Sequence, residues 1–164
     1  NIGQKTGSYL DQRENYVAAK KWVDLLRPGR FALDAFSSSG GFAIHLADAF
    51  EQVDAVDSSR LAVSVMERNA AANSKKNIRC TEADVTQYLQ GMTQAKRRWD
   101  CIVLDPPAYA KGKAHRAEAL RAYYDLNLRG MRSLSAGGVL VTCSCSYHVT
   151  EQELLDVIAK AAGE

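Results

Sequence analysis

Five short apolar runs, each closing on a polar or aromatic residue, constrain this chain more than any other feature. They occupy residues 31–36, 53–57, 78–84, 99–105 and 138–144. More than a dozen residues separate each run from the next, and the gaps carry helical periodicity. Antiparallel strands can turn back within two residues, whereas parallel neighbours need crossovers of about this length, usually helical. The pattern therefore predicts an α/β fold, a mostly parallel sheet with helices on both faces and right-handed crossovers. At 164 residues the chain suits one domain. Residues 13–164 form the α/β core in this reading, and residues 1–12 form a hairpin or lead-in.

Local signals place the helices. A helix over residues 13–26 puts Tyr16, Val17, Trp22, Val23 and Leu26 near one stripe and ends at Pro28-Gly29. Ser58 or Ser59 caps a second, through Asn69, and Asp84 caps a third, through Gln94. Thr150 and Glu153 form a capping box ahead of Leu154, Leu155 and Ile158. Residues 114–134 read as one long helix burying Leu120, Tyr124, Leu128 and Met131. The chain opens inside a patterned segment and stops after a helix that should feed another strand. That pattern is expected of a catalytic domain cut from a longer protein, with C-terminal strands missing.

Composition excludes several classes. Hydrophobic residues make up 46% and charged residues 24%, which argues against disorder. No apolar run approaches the ~18 residues that span a bilayer, so no membrane partner is expected. Cys80, Cys101, Cys143 and Cys145 come without a secretory signal, so reduced thiols and a cytoplasmic location are expected. Cys143 and Cys145 offer two soft ligands with no nearby pair to complete four, so no metal is expected.

In open parallel sheets, ligands bind beyond the carboxyl ends of the strands. The first run leads into Ser37-Ser38-Ser39-Gly40-Gly41-Phe42, where two glycines let the backbone approach a ligand and start a helix. Asp57 ends the second run, seventeen residues after Gly40, where it can accept hydrogen bonds from ribose hydroxyls. Asp84 ends the third, beside the expected adenine. The loop is not the G-x-G-x-x-G of a dinucleotide fold, which disfavours an NAD-dependent oxidoreductase. S-adenosylmethionine, with ribose and adenine but no phosphate, suits these residues better. The fourth run ends Asp105-Pro106-Pro107-Ala108-Tyr109, a rigid corner with an aromatic that can stack on a base. The fifth ends Thr142-Cys143-Ser144-Cys145-Ser146, with alternation turning both cysteines to one face. A cysteine there can be a nucleophile, although an ordinary thiol is only a few per cent ionised at neutral pH.

These residues, with Gly3-Gln4-Lys5-Thr6-Gly7 and Tyr9-Leu10-Asp11-Gln12-Arg13-Glu14-Asn15 ahead of them, resemble the RlmI-type class I S-adenosylmethionine-dependent methyltransferases. That family makes 5-methylcytosine in 23S-type large-subunit ribosomal RNA. The matching segments run in order along nearly the whole chain. Ser38 and Ser39 stand where the family usually has Tyr and Thr, and Tyr109 where it has Phe. The resemblance implies a Rossmann-like fold and cofactor contacts from Arg13, Asp34, Phe36, Ser37, Gly40, Gly41, Phe42, Asp57, Ser58, Asp84 and Asp105. Arg13 pairs with the cofactor's carboxylate in this reading. The substrate base meets Pro106, Pro107, Tyr109 and Lys111. Asp105 also holds the base at N3 or N4, and Cys145 is the nucleophile, with Cys143 its competitor. In related enzymes the cysteine lies seven residues after the second glycine of a G-G turn, as Cys145 does after Gly138. The family further carries an N-terminal RNA-binding domain and allows a homodimer of the full-length protein.

The net charge of +2 names no partner alone. Residues 111–132, however, hold Lys111, Lys113, Arg116, Arg121, Arg129 and Arg132 against Glu118 and Asp125, a local excess suited to RNA phosphates. Lys96-Arg97-Arg98 is a second cluster, suited equally to RNA and to a solvated face. Two other readings remain. One is methylation of a nitrogen of RNA or of a small molecule, which needs no thiolate. The other is a non-catalytic cofactor- or RNA-binding fragment.

Overall fold

The computed structural model describes residues 12–26, 29–110 and 112–164. The lead-in expected over residues 1–12 falls outside them, apart from Gln12, and so does Lys111. The described chain runs α1 (Gln12–Leu26), β1 (Phe31–Ala35), α2 (Gly41–Leu46), β2 (Gln52–Asp57), α3 (Arg60–Ala72) and β3 (Ile78–Glu82). It continues with α4 (Val85–Gln94), β4 (Trp99–Leu104), α5 (Arg116–Arg132), β5 (Leu134–Thr142) and α6 (Glu151–Ala162).

The five strands form one sheet in the order β3-β2-β1-β4-β5, and each pairing is parallel. Residues Ala32 to Ala35 of β1 are fully covered, as a strand flanked on both faces must be. One face packs Ala32, Val53, Ala55, Cys101 and Val103 against Ala19 and Val23 of α1, α2 and Met66 of α3. The other packs Leu33, Ala35, Val56, Ile102 and Leu104 against Val85 and Leu89 of α4 and Leu126 of α5. The helices that follow β1 and β4 thus lie on opposite faces, and β1 and β4 are neighbours. A crevice opens where the connections diverge.

The caps form as their chemistry predicts. Ser59 Oγ accepts from Ala62 N at 3.3 Å, and Asp84 Oδ1 from Gln87 N at 2.9 Å. Thr150 and Glu153 exchange the reciprocal bonds of a capping box. One buried carboxylate has many donors: Asp54 takes Trp99 Nε1 at 2.8 Å, Gln52 Nε2 at 2.7 Å and Arg79 Nε at 3.0 Å.

Several expectations need correction. The run over residues 138–144 belongs to a strand that begins earlier, at Leu134, and ends at Thr142. Its register against β4 jumps between Trp99↔Leu134 and Cys101↔Val139. Gly137 at φ +76° and Gly138, packed against Asp100 O, absorb the irregularity, so a glycine pair that reads as a turn is a bulge inside a strand. α5 covers residues 116–132, not 114–134, and buries Ala119, Tyr123, Leu126, Asn127 and Gly130. The predicted stripe of Leu120, Tyr124, Leu128 and Met131 is only half-buried. Small residues bring this helix closest to the sheet: a Cβ on Gly130 would lie 3.0 Å from Leu104 Cδ1. Tyr124 turns to α6, donating to Glu164 at 3.0 Å beneath the Lys160 ammonium. In α1 only Ala19 and Val23 are buried, while Val17, Trp22 and Leu26 of the predicted stripe are 59%, 56% and 55% exposed. The helix meets its neighbours along a narrow seam, so the large side chains beside that seam stay in solvent.

Candidate active site

The loop after β1 carries three left-handed residues in five: Phe36 at φ +62°, Ser38 at +51° and Gly40 at +84°. Non-glycine residues there are strained and persist only where their surroundings hold them. Asp34 provides part of the hold. It is buried, and its Oδ2 accepts from Ser37 Oγ at 2.6 Å and Ala43 N at 2.9 Å. Burial pushes its carboxyl up to about 7 against those two bonds, with Asp105 and Asp57 adding to the rise. Asp34 and Ser37 thus brace the loop from beneath. Phe36 packs into the α4–α5 side of the core and Phe42 into the opposite side.

Asp57 ends β2 and fastens the loop from its other edge. Its Oδ2 accepts from Ser38 N and its Oδ1 from Ser59 N, both at 2.9 Å. A carboxylate oxygen has two acceptor sites, so each still has one for a ribose hydroxyl. Ser58 beside it is exposed. Asp84, exposed at the head of α4, contributes to the upward shift of Tyr109. Gly41 leaves room for a neighbour within the protein: its missing Cβ would stand 2.4 Å from Tyr16 Cζ.

α1 closes the crevice from above. Gln12 Nε2 donates to both oxygens of Asp105 at 3.3 Å, across 93 residues of sequence. Arg13, next along the helix, is exposed. The sequence pattern marks this block but assigns Gln12 no partner.

Past Asp105 the chain turns through buried Pro106 and exposed Pro107 to Tyr109. The Tyr109 phenol is pushed up to about 12, by burial first and then by Tyr123 and Asp84, so it stays neutral at physiological pH. Its ring meets Tyr123 edge-on, with centroids 5.0 Å apart. On its flank lies a cavity of about 250 Å³, lined by Tyr109, His115, Glu118, Ala119 and Ala122.

The two cysteines beyond β5 do not share a face as alternation implies. Regular pairing stops at Thr142, so alternation stops there too. Cys143 packs half-buried against the core beside α1–α3. Cys145 is exposed, its Sγ 3.7 Å from the Pro106 carbonyl oxygen. The flanking residues turn inward. Ser144 Oγ donates to Tyr123 Oη at 2.8 Å. Ser146 Oγ lies 2.9 Å from Tyr123 Oη and accepts from Tyr109 N at 3.0 Å and Ala110 N at 3.3 Å. Sequence reasoning gave no role to Tyr123, Ser144 or Ser146. The only signal was the serine–cysteine alternation itself.

Cys101 is buried, its thiol pushed up to about 12 by that burial, and Cys80 is half-buried in β3. Of the basic residues of α5, Arg116 is paired with Glu153. The second basic cluster sits at the opposite end of the sheet. There Arg97 lies 4.3 Å from the Phe31 ring centroid and 3.7 Å from Asp54, as part of the packing. Among the described residues no cluster of three His, Cys, Asp or Glu could hold a metal, and no helix is long and apolar enough to cross a membrane.

Comparison with known proteins bears on the fold and the family. The model of the family described as RNA cap guanine-N2 methyltransferase matches residues 29–126. A ribosomal RNA large subunit methyltransferase of Deinococcus radiodurans is 39% identical over 97% of this chain and 39% of its own length. Ribosomal RNA large subunit methyltransferase I of Aeromonas hydrophila is 36% identical over 98% of this chain and 40% of its own. The chain thus spans about two fifths of these relatives. A methyltransferase candidate solved in complex with SAH shares the fold at TM-score 0.79 and 23% identity, over 98% of this chain and 42% of that one. The chain therefore belongs to the family described as RNA cap guanine-N2 methyltransferase, and is similar along nearly its whole length to large-subunit ribosomal RNA methyltransferases.

Proposed function

We propose that this domain forms 5-methylcytosine in large-subunit ribosomal RNA through a covalent adduct on Cys145. The observation that carries this reading is the exposed Cys145 thiol set 3.7 Å from the Pro106 carbonyl, beside Asp105 at the switch point of the sheet. C5 of cytosine is a poor nucleophile until a thiolate adds to C6 and leaves an enamine. S-adenosylmethionine, when bound, supplies an electrophilic methyl carbon. The C5 electron pair takes that methyl, which breaks the S–CH3 bond and leaves its electron pair on sulfur as a neutral thioether. A base then removes the C5 proton, the C5–H electron pair restores the C5–C6 double bond, and Cys145 departs as the thiolate. Asp105 hydrogen-bonds the ring at N3 or N4 and favours the adduct.

The residues around the β1 loop fit the cofactor. Asp57 keeps one acceptor site on each oxygen for the ribose, and exposed Asp84 at the head of α4 suits the adenine. Arg13 at the head of α1 suits the carboxylate of the cofactor's amino acid end. Pro106, Pro107, Tyr109 and Lys111 suit a base taken out of its stack, and the basic residues of α5 suit the neighbouring phosphates.

The family description favours a second reading, transfer to an exocyclic nitrogen of guanine. That reaction uses the nitrogen's own lone pair and gives Cys145 no task. Nucleoside mass spectrometry of ribosomal RNA from cells lacking the full-length gene separates the two. Loss of one 5-methylcytidine is the expected result. Loss of an N2-methylguanosine, with 5-methylcytidine intact, would replace the proposal.

A further inference from the structure

We propose that Tyr123, acting with Ser146, is a positioning residue that locks the Cys145 segment to the Asp105–Tyr109 corner. The inference rests on reading Cys145 and Asp105 as the reacting centre. Tyr123 is fully buried in the middle of α5 and Ser146 is nearly so. Both serines flanking Cys145 bond the same phenol oxygen, Ser144 at 2.8 Å and Ser146 at 2.9 Å. Cys145 is therefore the exposed tip of a three-residue bend pinned at both shoulders. Ser146 reaches onward to the other loop. Its Oγ accepts the amide protons of Tyr109 and Ala110 at 3.0 and 3.3 Å. Those amide bonds use both lone pairs, so its own proton goes to the phenol oxygen. The Tyr109 ring completes the lock against the Tyr123 ring, 5.0 Å away.

Neither Cys145 nor Asp105 lies on a strand, since β4 ends at Leu104 and β5 at Thr142. Sheet pairing alone does not set the separation of their loops. Covalent addition tolerates little error, and a misplacement of ~1 Å can cost ~100-fold in rate. One buried phenol on a rigid helix sets both loops at once.

The test uses the full-length protein, with Tyr123→Phe and Ser146→Ala alone and combined, and Cys145→Ala as a control. Tyr123→Phe keeps the ring and removes only the oxygen. Each single variant should bind S-adenosylmethionine as the parent does, while kcat for ribosomal RNA methylation falls ~10–100-fold. The double variant should be no slower than the slower single one, since both cut the same link. Hydrogen exchange should quicken at the Tyr109 and Ala110 amides, and iodoacetamide should modify Cys145 several-fold faster. Unchanged kcat, rate losses that multiply, or unchanged exchange at both amides would overturn the proposal. Normal turnover by Cys145→Ala would instead overturn the reading of the reacting centre. The exchange and alkylation measurements need no RNA and would still decide whether Tyr123 locks the loops.

Discussion

Tyr16 and Gly41 occupy one another's space: the Cβ that glycine lacks would stand 2.4 Å from the tyrosine Cζ. Tyr16 is itself wedged against Phe42, with ring centroids 4.7 Å apart, and against His45 at 5.0 Å. It has little freedom to retreat. Gly41→Ala should cost about 1–3 kcal/mol of stability by overpacking, measured by urea denaturation. In a Tyr16→Ala background the same substitution should cost almost nothing. An equal penalty in both backgrounds would mean that backbone conformation, not the ring, demands glycine.

Asp57 is held by two backbone amides and keeps acceptor capacity for a ribose. Asp57→Ala should weaken S-adenosylmethionine binding by about 1.5–3 kcal/mol, the range for a charge-assisted hydrogen bond. Calorimetry finding the parent affinity would remove Asp57 from the cofactor site.

Asp34 makes stability depend on pH. Burial raises its native carboxyl from 3.8 to about 7. Below about 4 both the native and unfolded states hold the proton, and its stabilising effect is fully present. As pH climbs towards 7 the unfolded chain releases the proton while the native state keeps it. The contribution then falls by up to ~1.4 kcal/mol per pH unit and levels off above the native value. Asp34→Asn cannot titrate, so its denaturation midpoints between pH 4 and 7 should decline less steeply than the parent's. Parallel curves would show that Asp34 ionises normally in the folded protein.

Cys145→Ala should abolish methyl transfer by orders of magnitude while leaving cofactor binding intact. Cys143 packs against the core, so Cys143→Ala should stay active with only a packing cost. RNA carrying 5-fluorocytosine should trap an adduct on Cys145, because fluorine blocks loss of the C5 proton. An adduct mapped to Cys143 would reverse the assignment, and turnover by the double alanine variant would remove the covalent route.

What could be read beforehand was local. The five strands follow from apolar runs, and the caps at Ser59, Asp84 and Thr150 from side chains that reach their own helix within three residues. The stripe of large apolar residues misplaces the buried face of α5, which carries Ala119 and Gly130, with Gly130 close against Leu104. Cys143 and Cys145 were misjudged because strand alternation was carried past the strand's end. The bonds from Gln12 to Asp105 and from the Tyr109 amide to Ser146 join segments 93 and 37 residues apart, a distance no local pattern encodes.

The strand order has a consequence for biosynthesis. β1 is flanked by β2 and β4, yet β4 is made last of the three. Until residues 99–104 leave the ribosome, the nascent chain holds β1 with one side unpaired, a row of amides and carbonyls open to any passing strand. Both walls of the crevice border that same seam. A stalled or truncated nascent chain would therefore lack the Asp105–Tyr109 corner and display an adhesive edge at once, so loss of the proposed activity and aggregation should share a single origin.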